Sequence, residues 1–179
     1  ADLELGSFAT SYIPTAASSV TRAADVVQFT GAALTAAQGS AATAIMEVGG
    51  LPTQAATTRY LQYGAGSGIL IAMSGGSATT LYEQNTAGSA STIAVAGSGS
   101  IATVLRAGIS WGSTGGRKLV ANGGTVAMDA SNSELATGSV NIGQGQGTYI
   151  NGWLRSFAIY NQRLPDATLQ ARSVVGASY

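Results

Sequence analysis

The stretch that decides the fold is IATVLRAGISW, residues 101–111. Its apolar side chains recur at every second position, at Ile101, Leu105, Ala107, Ile109 and Trp111. Arg106 and Ser110 occupy the alternate positions. Successive side chains of a β-strand point to opposite faces of a sheet, so this period of two predicts a strand with one buried face. We therefore expect Trp111 in the core.

The next stretch, GRKLVANGGTVAM at residues 116–128, predicts a hairpin. Asn122, Gly123 and Gly124 lie between two apolar pairs. Asn and Gly tolerate the positive φ that a tight hairpin turn requires. Two strands joined at these three residues are expected.

Short β-prone runs separated by Gly, Ser and Asn recur along the rest of the chain, a pattern typical of an all-β sandwich or barrel. Strands are predicted at residues 26–30, 43–48, 59–63, 68–73, 79–84, 91–95, 101–111, 117–121, 125–128, 139–142 and 150–160. These are too many for one flat sheet, so two sheets should stack on each other.

One short helix is predicted near the end of the chain. Pro165 and Asp166 suit the start of a helix, and Arg172 suits its last turn. Leu164 and Leu169 would pin this helix to the sandwich. Residues 32–44 are rich in alanine but lack an apolar stripe, so at most one helical turn is expected there.

Composition excludes several classes of function. Of the 179 residues only 9% are charged, with eight acidic and eight basic side chains. This balance argues against nucleic acid and membranes as partners. The sequence has no Cys and no His, which excludes a thiolate nucleophile, an imidazole base and a Cys/His zinc site.

The acidic residues argue against glycoside hydrolysis. Retaining hydrolysis requires two carboxylates about 5–5.5 Å apart, which on one strand face means acids two or four residues apart. The acids of the chain are Asp2, Glu4, Asp25, Glu47, Glu83, Asp129, Glu134 and Asp166. Only Asp2 and Glu4 have such a spacing, so we expect no enzymatic activity.

A calcium site is the alternative interpretation of the segment DASNSE. It offers Asp129, Asn132 and Glu134, which are hard oxygen ligands, but their spacing matches no EF-hand. We favour a polar turn here and expect the chain to need no cofactor.

Two stretches resemble known proteins. NGWLRSFAIYNQRLPDATLQ, residues 151–170, resembles the closing segment of concanavalin A-like, laminin-G-like domains, and KLVANGGTV resembles the hairpin that precedes it. The resemblance implies a two-sheet antiparallel jelly-roll sandwich with one short C-terminal helix. At Arg155 these domains frequently carry an acid, so this source of metal ligands is missing.

The opening segment, LELGSFATSYIPT at residues 3–15, continues into VTRAAD and resembles a junction in fibres and head spikes of phages and prophages. The resemblance implies that residues 1–25 end a preceding module and that residues 26–179 form the laminin-G-like domain. Pro14 agrees with this division, because proline cannot continue a central strand. Arg22 and Asp25 would either clamp the linker to the sandwich or form a solvated pair.

Sugar binding needs an aromatic platform and polar groups that fix the hydroxyls. The candidate residues are Trp153, Arg155, Tyr149, Asn151, Tyr82, Tyr63 and Tyr60. Trp153 with Arg155 is the preferred pair, because both lie close to the Gly-rich segment GQGQGTYING. Half-buried structural roles are the competing interpretation for each of these aromatic residues.

The resemblance and the missing catalytic groups together predict a non-catalytic module on the virion surface, in a tail fibre or head spike or in a gene transfer agent. Its expected partners are cell-surface or capsular polysaccharide, other virion proteins and further copies of itself. The alternative is a structural decoration domain that mediates capsid or fibre assembly without binding a glycan. Abundant Ala, Gly and Ser suit that alternative, since small-residue faces can pack around a symmetry axis.

Overall fold

The computed structural model describes residues 27–38, 41–49, 58–63, 69–73, 81–85, 92–95, 104–112, 114, 116–130, 139–145, 148–149 and 153–179. The predicted junction at residues 1–25, with Arg22 and Asp25, lies outside this range. The proposed domain division therefore stays a prediction.

The described part forms two large antiparallel sheets and one short ribbon. The first sheet has the order β1 (Val27–Thr30), β10 (Ser139–Ile142), β3 (Thr58–Tyr63), β4 (Ile69–Met73), β5 (Leu81–Asn85) and β6 (Thr92–Val95). The second has the order β13 (Trp153–Tyr160), β2 (Ala41–Gly49), β7 (Leu105–Gly112), β8 (Arg117–Ala121) and β9 (Ala127–Asp129). The ribbon pairs β11 (Gln144–Gly145) with β12 (Thr148–Tyr149).

This arrangement confirms the predicted two-sheet jelly-roll sandwich. Each of the eleven predicted strands coincides with an observed strand, with ends that differ by a few residues. Every described strand pairing is antiparallel.

The core lies between the two sheets and follows the predicted alternation. The inward side chains of β2 and β7 are Ala42, Ala44, Met46, Val48, Leu105, Ala107, Ile109 and Trp111. Val140 and Ile142 of β10 in the facing sheet belong to the same cluster. Trp111 is fully buried, as predicted. We call the opposite surface of the five-stranded sheet the outer face.

The outer face is also covered, which the alternation alone does not predict. Residues 161–179 run across it and contain α2 (Asp166–Arg172), whose Leu169 packs with Ile45 and Val120. Thr43 Oγ1 accepts a hydrogen bond of 3.1 Å from the Leu164 amide and donates one of 2.8 Å to the Gln162 carbonyl. These contacts confirm that Leu164 and Leu169 hold the helix on the sandwich.

The predicted hairpin turn is confirmed between β8 and β9. Asn122 and Gly123 have positive φ values of 50° and 73°, as a type I′ turn requires. The Gly124 amide donates a 2.9 Å hydrogen bond to the Ala121 carbonyl and closes the turn. Asn122 Oδ1 also accepts a 2.8 Å hydrogen bond from the Arg106 amide, which ties the turn to β7.

The prediction of at most one helical turn within residues 32–44 was wrong. Helix α1 (Gly31–Gln38) extends over eight residues. Leu34, which is 4% exposed, packs into the core with no second buried residue described on the helix. A single anchored leucine leaves no apolar stripe in the sequence, and alanine has the highest intrinsic helix propensity.

Candidate functional site

The centre of the outer face holds a buried ion pair. Glu47 on β2 lies directly opposite Arg106 on β7 in the sheet register. Arg106 Nη1 donates a hydrogen bond of 2.9 Å to Glu47 Oε2, and the two side chains are 2% and 1% exposed. Buried charges of this kind are tolerated when they are paired and hydrogen-bonded.

The segment that follows α2 seals this pair from solvent. The Gly176 amide donates a 3.0 Å hydrogen bond to Glu47 Oε2, and the Arg172 carbonyl accepts a 2.6 Å hydrogen bond from Arg106 Nε. The ring of Tyr179 lies over the Arg106 guanidinium, with 4.4 Å between its centre and the guanidinium carbon. Tyr179 also donates a hydrogen bond to the Ser156 hydroxyl. The cluster is therefore built by β2, β7, β13 and the terminal segment together.

Glu47 stays ionised in this setting. Burial alone would raise the pKa of its carboxyl group, but the hydrogen bonds from Gly176 and Arg106 and the positive charges of Arg155 and Arg106 outweigh burial, so the pKa lies below its usual value. A carboxylate held in this way is a poor general acid.

A β-bulge in β13 directs Arg155 to the outer face. Leu154 pairs with Val48 and Ser156 pairs with Glu47, so Arg155 is the extra residue between them. The Arg155 and Ser156 side chains both bond to outer-face groups, whereas Leu154 packs into the core. Arg155 Nη1 donates a 2.9 Å hydrogen bond to Glu47 Oε1, and the Arg155 side chain remains 59% exposed. Bulges commonly redirect a side chain in this way.

Trp153 lies on the same face, two residues before Arg155. It pairs with Gly49 of β2, and a Cβ atom built on Gly49 would come within 2.5 Å of the Trp153 ring. The ring therefore rests on the glycine backbone, a position that any larger residue would obstruct. Trp153 is 37% exposed, so part of the ring is available to a ligand.

The other predicted sugar-binding residues lie on different elements. Tyr60 and Tyr63 are on β3 and Tyr82 is on β5, both in the six-stranded sheet, and Tyr149 is on β12 of the ribbon. Asn151 lies outside the described residues. The structure thus places Trp153 and Arg155 together and assigns these four tyrosines to other sheets.

Of the three residues that the alternative calcium site would use, Asp129 is described. It accepts a 2.7 Å hydrogen bond from Arg117 Nη2, and the two residues are cross-strand partners on β8 and β9. Asn132 and Glu134 lie outside the described residues. Within the described part no group of three or more acids could hold a metal ion. The favoured polar turn stays a prediction, with the calcium site as its alternative.

Sequence reasoning missed Glu47 and Arg106 as members of the site. A signal was available, because each is a single charge inside an apolar strand and the two charges have opposite sign. Two such residues at central positions are expected to pair if their strands are neighbours. Tyr179 carried no comparable signal.

The described helices include none long and apolar enough to cross a membrane.

Comparison with known proteins places the fold. No protein-family model and no curated protein matches the chain. Among solved structures, the heptameric SAP-like pentraxin of Limulus polyphemus is similar with a TM-score of 0.59 and 16% identity over 75% of this chain and 70% of the pentraxin. The CBM40 domain of the Ruminococcus gnavus IT-sialidase, bound to α2,3-sialyllactose, has a TM-score of 0.63 and 17% identity over 78% of this chain and 85% of that domain.

A third similar structure is the binding domain of botulinum neurotoxin DC in complex with SialylT, with a TM-score of 0.59 and 15% identity. The match covers 81% of this chain and 38% of the toxin domain. Identities this low establish the fold alone. The chain is a two-sheet antiparallel jelly-roll sandwich, the fold that these structures share.

Proposed function

We propose that this chain is a non-catalytic module that binds cell-surface or capsular polysaccharide through the outer face beside β13. The observation that carries the proposal is the pairing of Trp153 with Arg155. An exposed aromatic ring rests on Gly49, and two residues further along the same face a guanidinium is oriented by Glu47. Saccharides are held by this combination of an aromatic platform and fixed polar donors.

The state of two acidic groups within the described residues supports binding without cleavage. Glycoside hydrolysis needs one carboxyl group that can donate a proton and a second that stays ionised. Glu47 is held ionised by two arginines, and Asp129 is engaged by Arg117. The solved complex of the similar CBM40 domain with sialyllactose also agrees with a binding role for this fold.

The proposed setting is the surface of a virion, in a fibre or head spike. It rests on the resemblance of residues 3–25 to a phage junction, and it implies virion proteins and further copies of the chain as partners. Deleting the domain from the particle tests the setting. Intact particles that fail to attach to host cells would support the adhesion role, whereas fragile particles would support the decoration role.

Binding itself is tested with the purified chain on an immobilised glycan panel. Trp153→Ala should abolish binding, because the platform is lost. Met128→Ala is the matched control, since Met128 is a 68% exposed apolar residue on β9, at the opposite edge of the same sheet. The proposal fails if the wild-type chain binds no glycan, or if Trp153→Ala binds as tightly as the control. Release of reducing ends from a bound polymer would contradict the non-catalytic part.

A further inference from the structure

The charges of the described residues suggest which class of saccharide this site accepts. The acids whose side chains are described are Glu47, Asp129 and Asp166. Each is engaged by a cation: Glu47 by Arg106 and Arg155, Asp129 by Arg117, and Asp166 by Lys118. None of these carboxylates is left to repel an anion.

The positive charges of Arg106 and Arg155 are only partly neutralised by Glu47. Glu47 faces two guanidinium groups, so the three side chains together carry one net positive charge. The Glu47 carboxylate is 1% exposed and the Arg155 side chain is 59% exposed, so the negative charge lies beneath the positive one. A ligand that approaches this surface meets a guanidinium first.

Arg155 keeps N–H donors that a ligand could use. Its Nη1 atom bonds to Glu47, and its other guanidinium nitrogens form no hydrogen bond within the described residues. The bond to Glu47 fixes the plane of the group, which lowers the cost of ordering it on a ligand. A guanidinium presents paired N–H donors whose spacing matches the two oxygens of a carboxylate.

A second donor on this face also lacks a partner. Arg106 is 2% exposed, and among the described residues no acceptor lies within hydrogen-bond reach of its Nη2 atom. A buried, unsatisfied, positively charged donor strengthens the positive potential of the surface above it, because the local dielectric is low.

Resting on the proposed sugar-binding function, we infer that the saccharide is acidic: its carboxylate pairs with Arg155 while its sugar ring stacks on Trp153. Both side chains project from the outer face, and two residues of strand separate them by about 6.5 Å. This spacing suits a carboxylate attached directly to a ring carbon, as in a uronic or a sialic acid. Neutral polysaccharides would use the platform without the ion pair.

The test uses matched polymers that differ only in the acid group. Polygalacturonate and its carboxyl-reduced form are compared with the wild-type chain, and polysialic acid with its carboxyl-reduced form provides the second acidic class. We expect carboxyl reduction to weaken binding of at least one of the two polymers by about tenfold or more, the usual effect of losing a charge-assisted hydrogen-bond pair.

Two variants connect the effect to this residue. Arg155→Gln should lower the affinity for the acidic polymer much more than the affinity for the reduced polymer, so that the two affinities become similar. Arg155→Lys retains the positive charge without the paired donors. Its affinity for the acidic polymer should lie between the affinities of the wild-type chain and of Arg155→Gln. Near-ultraviolet circular dichroism checks that each variant is folded, since Arg155 also bonds to Glu47.

The outcomes separate the inference from the proposed function. Equal affinity for acidic and reduced polymers, both sensitive to Trp153→Ala, would overturn the acidic preference and leave sugar binding intact. Binding of dextran sulfate that depends on Arg155 but not on Trp153 would indicate a general polyanion surface and would also overturn the inference. If neither form of either polymer binds, the acidic preference is overturned, and the proposed function is then decided by the glycan panel.

Discussion

Glu47 and Arg106 are direct cross-strand partners on the two central strands β2 and β7, and their 2.9 Å ion pair is sealed on the outer face by residues 172–179. Removing one member of a buried pair leaves the other as an uncompensated charge in a low-dielectric setting. The pair therefore makes the terminal segment and the central strands depend on each other.

Glu47→Gln should destabilise the chain by about 3–5 kcal/mol, the usual cost of breaking a buried pair. The substitution leaves the buried Arg106 without its counter-ion and Arg155 without the carboxylate that orients it. Urea unfolding measures the loss. Asp166→Asn is the control, because its pair with Lys118 is solvent-exposed and should contribute about 1 kcal/mol or less. Equal losses in the two variants would show that burial does not matter here.

Stability should fall in acid because of Glu47. The pKa of Glu47 is lowered in the folded chain, so the unfolded chain binds the proton more readily. The contribution of Glu47 is complete above the usual pKa of a glutamate and is lost as the pH falls through the lowered value. Urea midpoints measured from neutral pH into this acid range should decline more steeply for the wild type than for Glu47→Gln. Parallel curves would contradict the assignment.

Gly49→Ala should displace the Trp153 ring, since the new Cβ would lie 2.5 Å from it. The nearest atoms are at the far edge of the indole, so the ring can move away, and its fluorescence should change while Trp111 stays buried. In a Trp153→Ala background the same substitution should be nearly neutral. Unfolding measurements on the four proteins should give a coupling energy of about 0.5–3 kcal/mol. A coupling near zero would show that the ring does not rest on Gly49.

Asn122 should tolerate glycine better than alanine. Alanine loses the side-chain bond to the Arg106 amide and must also adopt a φ of 50°. The positive φ adds about 1–2 kcal/mol for a residue with a Cβ and no local polar side chain. Glycine loses the same side-chain hydrogen bond without this backbone strain. Thermal unfolding of the two variants provides the comparison, and equal losses would mean that backbone strain plays no part.

The strands and the hairpin turn could be predicted because their determinants are local. The alternation that ends at Trp111 assigns the inward face of β7 without reference to any other strand, and Asn122 with Gly123 specifies the turn by conformational preference alone. Trp153 and Arg155 were preferred as a pair because both lie close to the Gly-rich segment GQGQGTYING, and their role in binding stays a prediction.

The covering of the outer face could not be predicted in the same way. The period of two assigns Arg106 to the side away from the core, but its burial depends on a segment that begins more than fifty residues later. Glu47 and Gly176, which share a hydrogen bond, are 129 residues apart in the sequence. The bulge at Arg155 is likewise invisible in a single strand, because register is a property of two strands.

The bulge also separates the proposed ligand contact of Arg155 from the packing of the core. It inserts position 155 between an inward Leu154 and an outward Ser156 without disturbing the alternation on either side. A lineage could therefore exchange the side chain at this position, or delete the residue, and keep the same core packing, losing only one of the three hydrogen bonds to Glu47. If Arg155 contacts the ligand as proposed, a change at this one position would alter specificity while the scaffold stays constant.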